Sequence, residues 1–90
     1  MNTDFKKPFL NDFKKVRDKV LRQKVEQVIL EVMAAQTLQD IFGLKKLKGG
    51  KRGIYYRIKI ADYRLGVSIE GSTVTFLAFM HRKDIYKLFP

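Results

Sequence analysis

Two rhythms of apolar residues divide this 90-residue chain. In the first part, Phe9, Phe13 and Val16 recur at the i, i+4, i+7 spacing of one helix face, with Leu10 beside them. Pro8 suits the first turn of that helix, where a missing N–H costs nothing. Lys14, Lys15 and Arg17 fall on its exposed side. A second helix is predicted from about Asp18 to Ala35, because Leu21, Val25, Val28, Ile29, Val32 and Met33 keep a 3.6-residue period. Asp18 suits its N-cap, and Arg22, Lys24, Glu26 and Glu31 lie opposite the apolar stripe. Its valines are weak helix formers, so burial must hold it. The pair reads as a helix hairpin with its apolar faces turned towards a sheet.

After Gly53 the period drops from 3.6 to 2. Ile54, Tyr56, Ile58 and Ile60 alternate with Tyr55, Arg57 and Lys59. Ala61-Asp62 is a candidate two-residue turn. Tyr63, Leu65, Val67 and Ile69 then alternate with Arg64, Gly66 and Ser68, and Gly71-Ser72 makes a second turn. Residues Thr73 to Met80 are apolar on both faces, as a central strand should be. Before these strands, Leu38 to Gly43 reads as a short helical or turn segment. Leu44 to Gly53, with three glycines, reads as a loop. The opening residues form a short strand. The expectation is one α+β domain over residues 1–90: a helix hairpin on a small antiparallel sheet, in the order βααβββ, with a short C-terminal segment.

Charge sharpens this picture. Nineteen Lys and Arg face nine Asp and Glu, a net charge of +10, and the bases are unevenly spread. The first 44 residues hold eight bases and six acids, whereas residues 45–90 hold eleven bases and three acids. Five of the eight residues from Lys45 to Arg52 are basic. Such a footprint fits a binder of phosphate backbones. Cysteine is absent, which removes disulfide scaffolds, thiolate zinc sites and cysteine nucleophiles. No N-terminal apolar run and no stretch of about 18 apolar residues occurs, so a cytoplasmic protein without a membrane partner is expected.

Strand alternation puts Arg57 and Lys59 on one face, and a tight hairpin adds Arg64 to it, with no carboxylate there to balance them. Like charges side by side on a sheet are destabilising, so such a cluster calls for a function. Beyond the last strand, His81, Arg82 and Tyr86 can close over a sheet face. The chain has one His and no Cys, and its glycines match neither common nucleotide-binding loop, so no metal or cofactor is expected. Chemistry run by cations remains. When a 2′-hydroxyl attacks its own phosphodiester, the reaction needs a base, charge stabilisation and an acid. A lysine crowded by arginines favours its neutral form, making Lys59 a candidate base and RNA the substrate.

Leu44-Lys45-Lys46-Leu47-Lys48-Gly49, Tyr56-Arg57-Ile58-Lys59-Ile60, Tyr63-Arg64-Leu65 and His81-Arg82-Lys83-Asp84-Ile85-Tyr86 together resemble the RelE/ParE toxin superfamily. The helix hairpin entered through Phe9-Leu10-Asn11-Asp12-Phe13 also fits. The resemblance implies a ribosome-dependent endoribonuclease of a type II toxin–antitoxin system, cutting mRNA, inhibiting translation and held inactive by a cognate antitoxin. It implies Lys59 as base, Arg57 at a phosphate-stabilising position and Arg64 stabilising transition-state charge. Arg82 matches the general acid, with His81 competing for that role, and Tyr86 the aromatic that orients or stacks on the nucleotide. Lys45, Lys46, Lys48, Lys51 and Arg52 are expected to hold mRNA or ribosomal RNA phosphates. Only four residues follow Tyr86, leaving little room for a mobile C-terminal helix. The same fold also carries gyrase-poisoning ParE toxins without nuclease activity, and a plain basic RNA- or ribosome-binding module is the third reading.

Overall fold

The alternation after Gly53 is realised as three antiparallel strands. In the computed structural model, which describes residues 1–49 and 52–88, β3 (Tyr55–Ile60) turns through Ala61-Asp62 into β4 (Tyr63–Glu70). Strand β4 then turns through Gly71-Ser72 into β5 (Thr73–His81). Each turn opens with a left-handed residue, Ala61 at φ 52° and Gly71 at φ 58°. Glycine adopts that conformation freely, whereas alanine gives up about 1–2 kcal/mol there.

Two more strands complete the sheet. Strand β1 (Asn2–Phe5) runs parallel to β5, and β2 (Leu44–Lys46) runs antiparallel to β3, giving the order β1-β5-β4-β3-β2. The sheet is therefore mixed rather than wholly antiparallel, and it has one strand more than the sequence suggested. Leu44-Lys45-Lys46 leaves the predicted loop because the outer edge of β3 offers backbone partners that three residues can reach. Pairing continues one step further, where the Leu47 N–H donates to the Tyr55 carbonyl at 2.9 Å. Strand β5 is an interior strand, flanked by β1 and β4, as its two apolar faces require.

Helices α1 (Lys7–Lys14) and α2 (Lys19–Ala34) cover one sheet face. Phe9, Val25, Val32, Ile58, Leu65, Val67, Val74 and Phe76 are sealed between the layers. The predicted N-cap holds, since the Asp18 carboxylate accepts from the Val20 and Leu21 N–H groups. Helix α1 ends two residues before Val16, which packs against the core from the connection. Leu10 and Met33, assigned to apolar stripes, are exposed. Arg22 departs from its expected outward position. Its Nη1 donates to the Phe13 and Val16 carbonyls, each at 3.0 Å, and its guanidinium lies 4.3 Å from the Phe13 ring centroid. It thus satisfies carbonyls that the end of α1 leaves open.

The other sheet face carries α3 (Arg82–Leu88), where only a short trailing segment was expected. Its anchor is Ile85, fully buried against Ala78 with Leu47, Tyr55, Leu77 and Met80 around it. A bulge prepares the seat: Gly66 pairs with Ala78 but Val67 with Phe76, so Leu77 is an extra residue. The two neighbours Leu77 and Ala78 consequently both reach the α3 cluster. The helix starts where the Arg82 N–H donates to the Asp62 carbonyl at 2.8 Å. The His81 Nδ1 then accepts from the Lys83 N–H at 3.2 Å.

Candidate active site

Residues directly opposed in an antiparallel pair point to the same side of the sheet. Lys59 opposes Arg64, and Arg57 opposes Gly66. The register therefore gathers Arg57, Lys59 and Arg64 on one face, with Lys59 and Arg64 about 4.5–5.5 Å apart at Cβ. Lys45, opposite Arg57 on β2, joins them. Gly66 and Ala78 continue the Arg57 row, so small side chains floor the space beside that guanidinium.

Backbone carbonyls hold the two arginines in place. Arg57 Nη1 donates to the Gly43 carbonyl at 2.6 Å. Arg64 Nη1 donates to the carbonyls of Ala61 at 3.0 Å and Tyr63 at 2.9 Å. In each arginine the Nε–H is buried without an acceptor among the described residues. Buried donors of this kind are strong sites for an anionic oxygen.

Tyr86, on α3, reaches the same place. Burial pushes its phenol pKa up, but hydrogen bonding to Arg64 and then Arg57, with the charge of both, pulls it down further. The net effect holds the phenol below its ordinary value. The hydroxyl oxygen thus stands where an anionic oxygen would be stabilised. Arg82 begins α3 beside the Ala61-Asp62 turn, at the end of the sheet that carries Lys59 and Arg64, and is exposed.

Other candidates lie elsewhere. His81 opposes Tyr63, which opposes Ile60, so His81 belongs to the helix-covered face. Its ring makes an edge contact with Tyr63 at 5.5 Å. It is also the last residue of β5 rather than part of a closing loop, so it is separated from the three cations by the sheet itself. Lys46 opposes Tyr56 and likewise points to the helix side. Lys48 is exposed in the β2–β3 connection. Arg52 pairs with Glu70. Glu70 shares the alternation of Arg64 on β4, so that face does carry a carboxylate. The six-residue step from Arg64 to Glu70 corresponds to about 20 Å along the strand, and Arg52 neutralises it there. Lys51 lies outside the described residues. No group of three or more potential metal ligands occurs among the described residues.

A family model for the ParE toxin of type II toxin–antitoxin systems matches residues 4–86. The chain belongs to this family. It is 36% identical over its full length, and over the full length of the relative, to Toxin RelE3 of Methanocaldococcus jannaschii. The crystal structure of a RelB-RelE antitoxin-toxin complex from Methanococcus jannaschii matches 97% of this chain and 99% of the other at TM-score 0.78 and 34% identity. YafQ from Escherichia coli, at 12% identity, matches 94% of this chain and 97% of its own at TM-score 0.73, a likeness of fold alone.

In this member of the ParE toxin family, Gly43 is a site residue that pattern reading passed over. Its carbonyl accepts from Arg57 Nη1 at 2.6 Å and from the Lys59 N–H at 3.2 Å, tying two of the three cations to one peptide. Gly43 has φ 81°, and a Cβ there would stand 3.3 Å from the Lys59 carbonyl oxygen. A lone glycine ending a turn carried the only signal, and nothing in its neighbours marked the contact that brings it against β3.

Proposed function

We propose that this chain is the toxin of a type II toxin–antitoxin system and acts as an endoribonuclease on mRNA bound to the ribosome, so inhibiting translation. The observation that carries the reading is the convergence of Arg57, Lys59 and Arg64 with the Tyr86 hydroxyl on one sheet face. Lys59 takes the proton of a ribose 2′-hydroxyl as that oxygen bonds to the adjacent phosphorus. Arg57 and Arg64 stabilise the charge that builds on the phosphorane. As the P–O5′ bond breaks, Arg82 returns a proton to the leaving oxygen, and a 2′,3′-cyclic phosphate and a 5′-hydroxyl result. Tyr86 orients the nucleotide. Arg82 is preferred to His81 as acid because the sheet separates His81 from the cations. The step needs no metal. Lys45 and Lys48 extend the positive surface for mRNA or ribosomal RNA, and a cognate antitoxin is the protein partner, as in the RelB-RelE complex that this chain resembles.

The test is primer extension on a defined mRNA, with and without programmed ribosomes. Cuts that require ribosomes and fall in the decoding-site codon are expected. Arg64→Ala should reduce them at least a hundredfold, the usual order for losing a charge-stabilising donor, while leaving the fold intact. Intact mRNA together with inhibited DNA supercoiling would replace this reading with gyrase poisoning. Binding to ribosomes without any cut would leave only a basic RNA-binding module.

A further inference from the structure

Phe42 is 89% exposed, more than any other large apolar side chain among the described residues. It is not on a loose tip. The next peptide, at Gly43, is tied to Arg57 and to the backbone of Lys59, and Gly43 turns tightly against β3. The aromatic ring therefore stands on a fixed step, one residue from the cationic face. Two open hollows meet at it. One, of about 610 Å³, runs towards α2 past Lys24 and Val28. The other, of about 560 Å³, runs along β2 and β3 past Lys45 and Arg57. Phe42 and Lys59 line both. The charged residues around the two hollows are four cations and a single carboxylate, Glu31.

An exposed aromatic ring set among cations is the arrangement by which proteins grip single-stranded nucleic acid: bases stack on the ring and phosphates sit on the cations. We propose that Phe42 is a stacking platform for a nucleobase of single-stranded RNA, next to the phosphate held at Arg57 and Lys59. The inference deepens the ribonuclease reading and rests on it for the identity of the strand. It assigns the positioning of a neighbouring nucleotide to a residue outside the reacting cluster. A second aromatic contact, apart from Tyr86, fixes the direction in which the strand crosses the face. The surrounding charge favours a polyanion over an apolar protein segment.

The chain contains no tryptophan, so Phe42→Trp introduces a single fluorescent reporter at the platform. Titration with a short 2′-O-methyl oligoribonucleotide, which binds without being cut, should quench that fluorescence in a saturable and salt-sensitive way. Phe42→Leu keeps an apolar side chain but loses the π face. It should weaken oligonucleotide binding about five- to a hundredfold, the range expected for one lost stacking contact, while Phe42→Trp binds as the unmodified chain does. The exposed position lets both variants fold as the unmodified chain does, which thermal melting checks. Equal oligonucleotide affinity for Phe42→Leu and Phe42→Trp, with no quenching, would overturn the proposal. So would a loss confined to antitoxin binding, which would make Phe42 a protein contact. Neither result touches the ribonuclease reading if Arg64→Ala still abolishes cleavage. Conversely, quenching by RNA in a chain that cuts no mRNA would keep the platform and remove the nuclease.

Discussion

At the residue scale, the pairing of Tyr86 with Arg57 and Arg64 makes the site sensitive to alkali. The phenol is held below its ordinary pKa by the two guanidiniums, against the opposing pull of burial. Its ionised form is therefore favoured in the folded chain. The stabilisation this provides is absent at neutral pH, appears as pH rises through the folded pKa, and is complete above the unfolded value. A tyrosinate would compete with RNA phosphate for both arginines. Affinity for the 2′-O-methyl oligonucleotide should thus fall with an apparent pKa below that of free tyrosine. Tyr86→Phe should remove this alkaline limb and keep neutral-pH affinity within about threefold. An unchanged limb in the phenylalanine variant would mean that another group titrates. A structural side chain provides a contrast: the Asp12 carboxylate accepts the Phe79 N–H at 3.0 Å. That amide belongs to the stretch of β5 beyond the reach of β1. Asp12→Ala should lower stability by about 1–3 kcal/mol in a denaturant titration, with cleavage by the folded fraction unchanged.

At the element scale, α3 holds Tyr86 in place through the buried side chain of Ile85. Ile85 packs in a small cluster separate from the main core. Ile85→Ala should undock α3 while leaving the helix pair and sheet intact. Hydrogen exchange should then accelerate in residues 82–88 and stay slow in β4 and β5, and cleavage should fall because Tyr86 leaves the arginines. Uniformly faster exchange would show that the two clusters unfold together. Elements of this kind also mark where the sequence ceased to be readable. The period-2 pattern from Ile54 to Ile69 was long enough to fix which side chains share a face, so Arg57, Lys59 and Arg64 were legible as a group. Strand β2 was not, since Leu44-Lys45-Lys46 is too short to show any period and its glycine-rich continuation looks like loop. Helix α3 completes barely two turns, too few for a period to show. The side taken by His81 depended on one residue of strand length. The bulge at Leu77 had no sequence signature beyond a run of apolar residues, which burial on both faces explains equally well.

At the scale of the whole molecule, the net charge of +10 is arranged with direction. Arg52 offsets Glu70, while Arg57, Lys59 and Arg64 share one face, so positive charge gathers where phosphate is expected to bind. An antitoxin that covers this face should present carboxylates to it. The affinity of the complex should then weaken steadily as salt rises, since exposed charges are screened over about 10 Å at 0.1 M. Affinity that holds constant from low to high salt, measured by titration calorimetry, would point to an apolar contact instead.

The parallel pairing of β1 with β5 has a consequence for synthesis. Residues 2–5 wait for a partner that spans residues 73–76, and β5 lies between β1 and β4 in the finished sheet. The β3–β4 hairpin is local and can close early, but β1 stays unpaired until β5 has been made. Contacts so distant in sequence form late. A nascent chain therefore groups Arg57, Lys59 and Arg64 on its hairpin while β1 still lacks its partner and before α3 has brought Tyr86 to them.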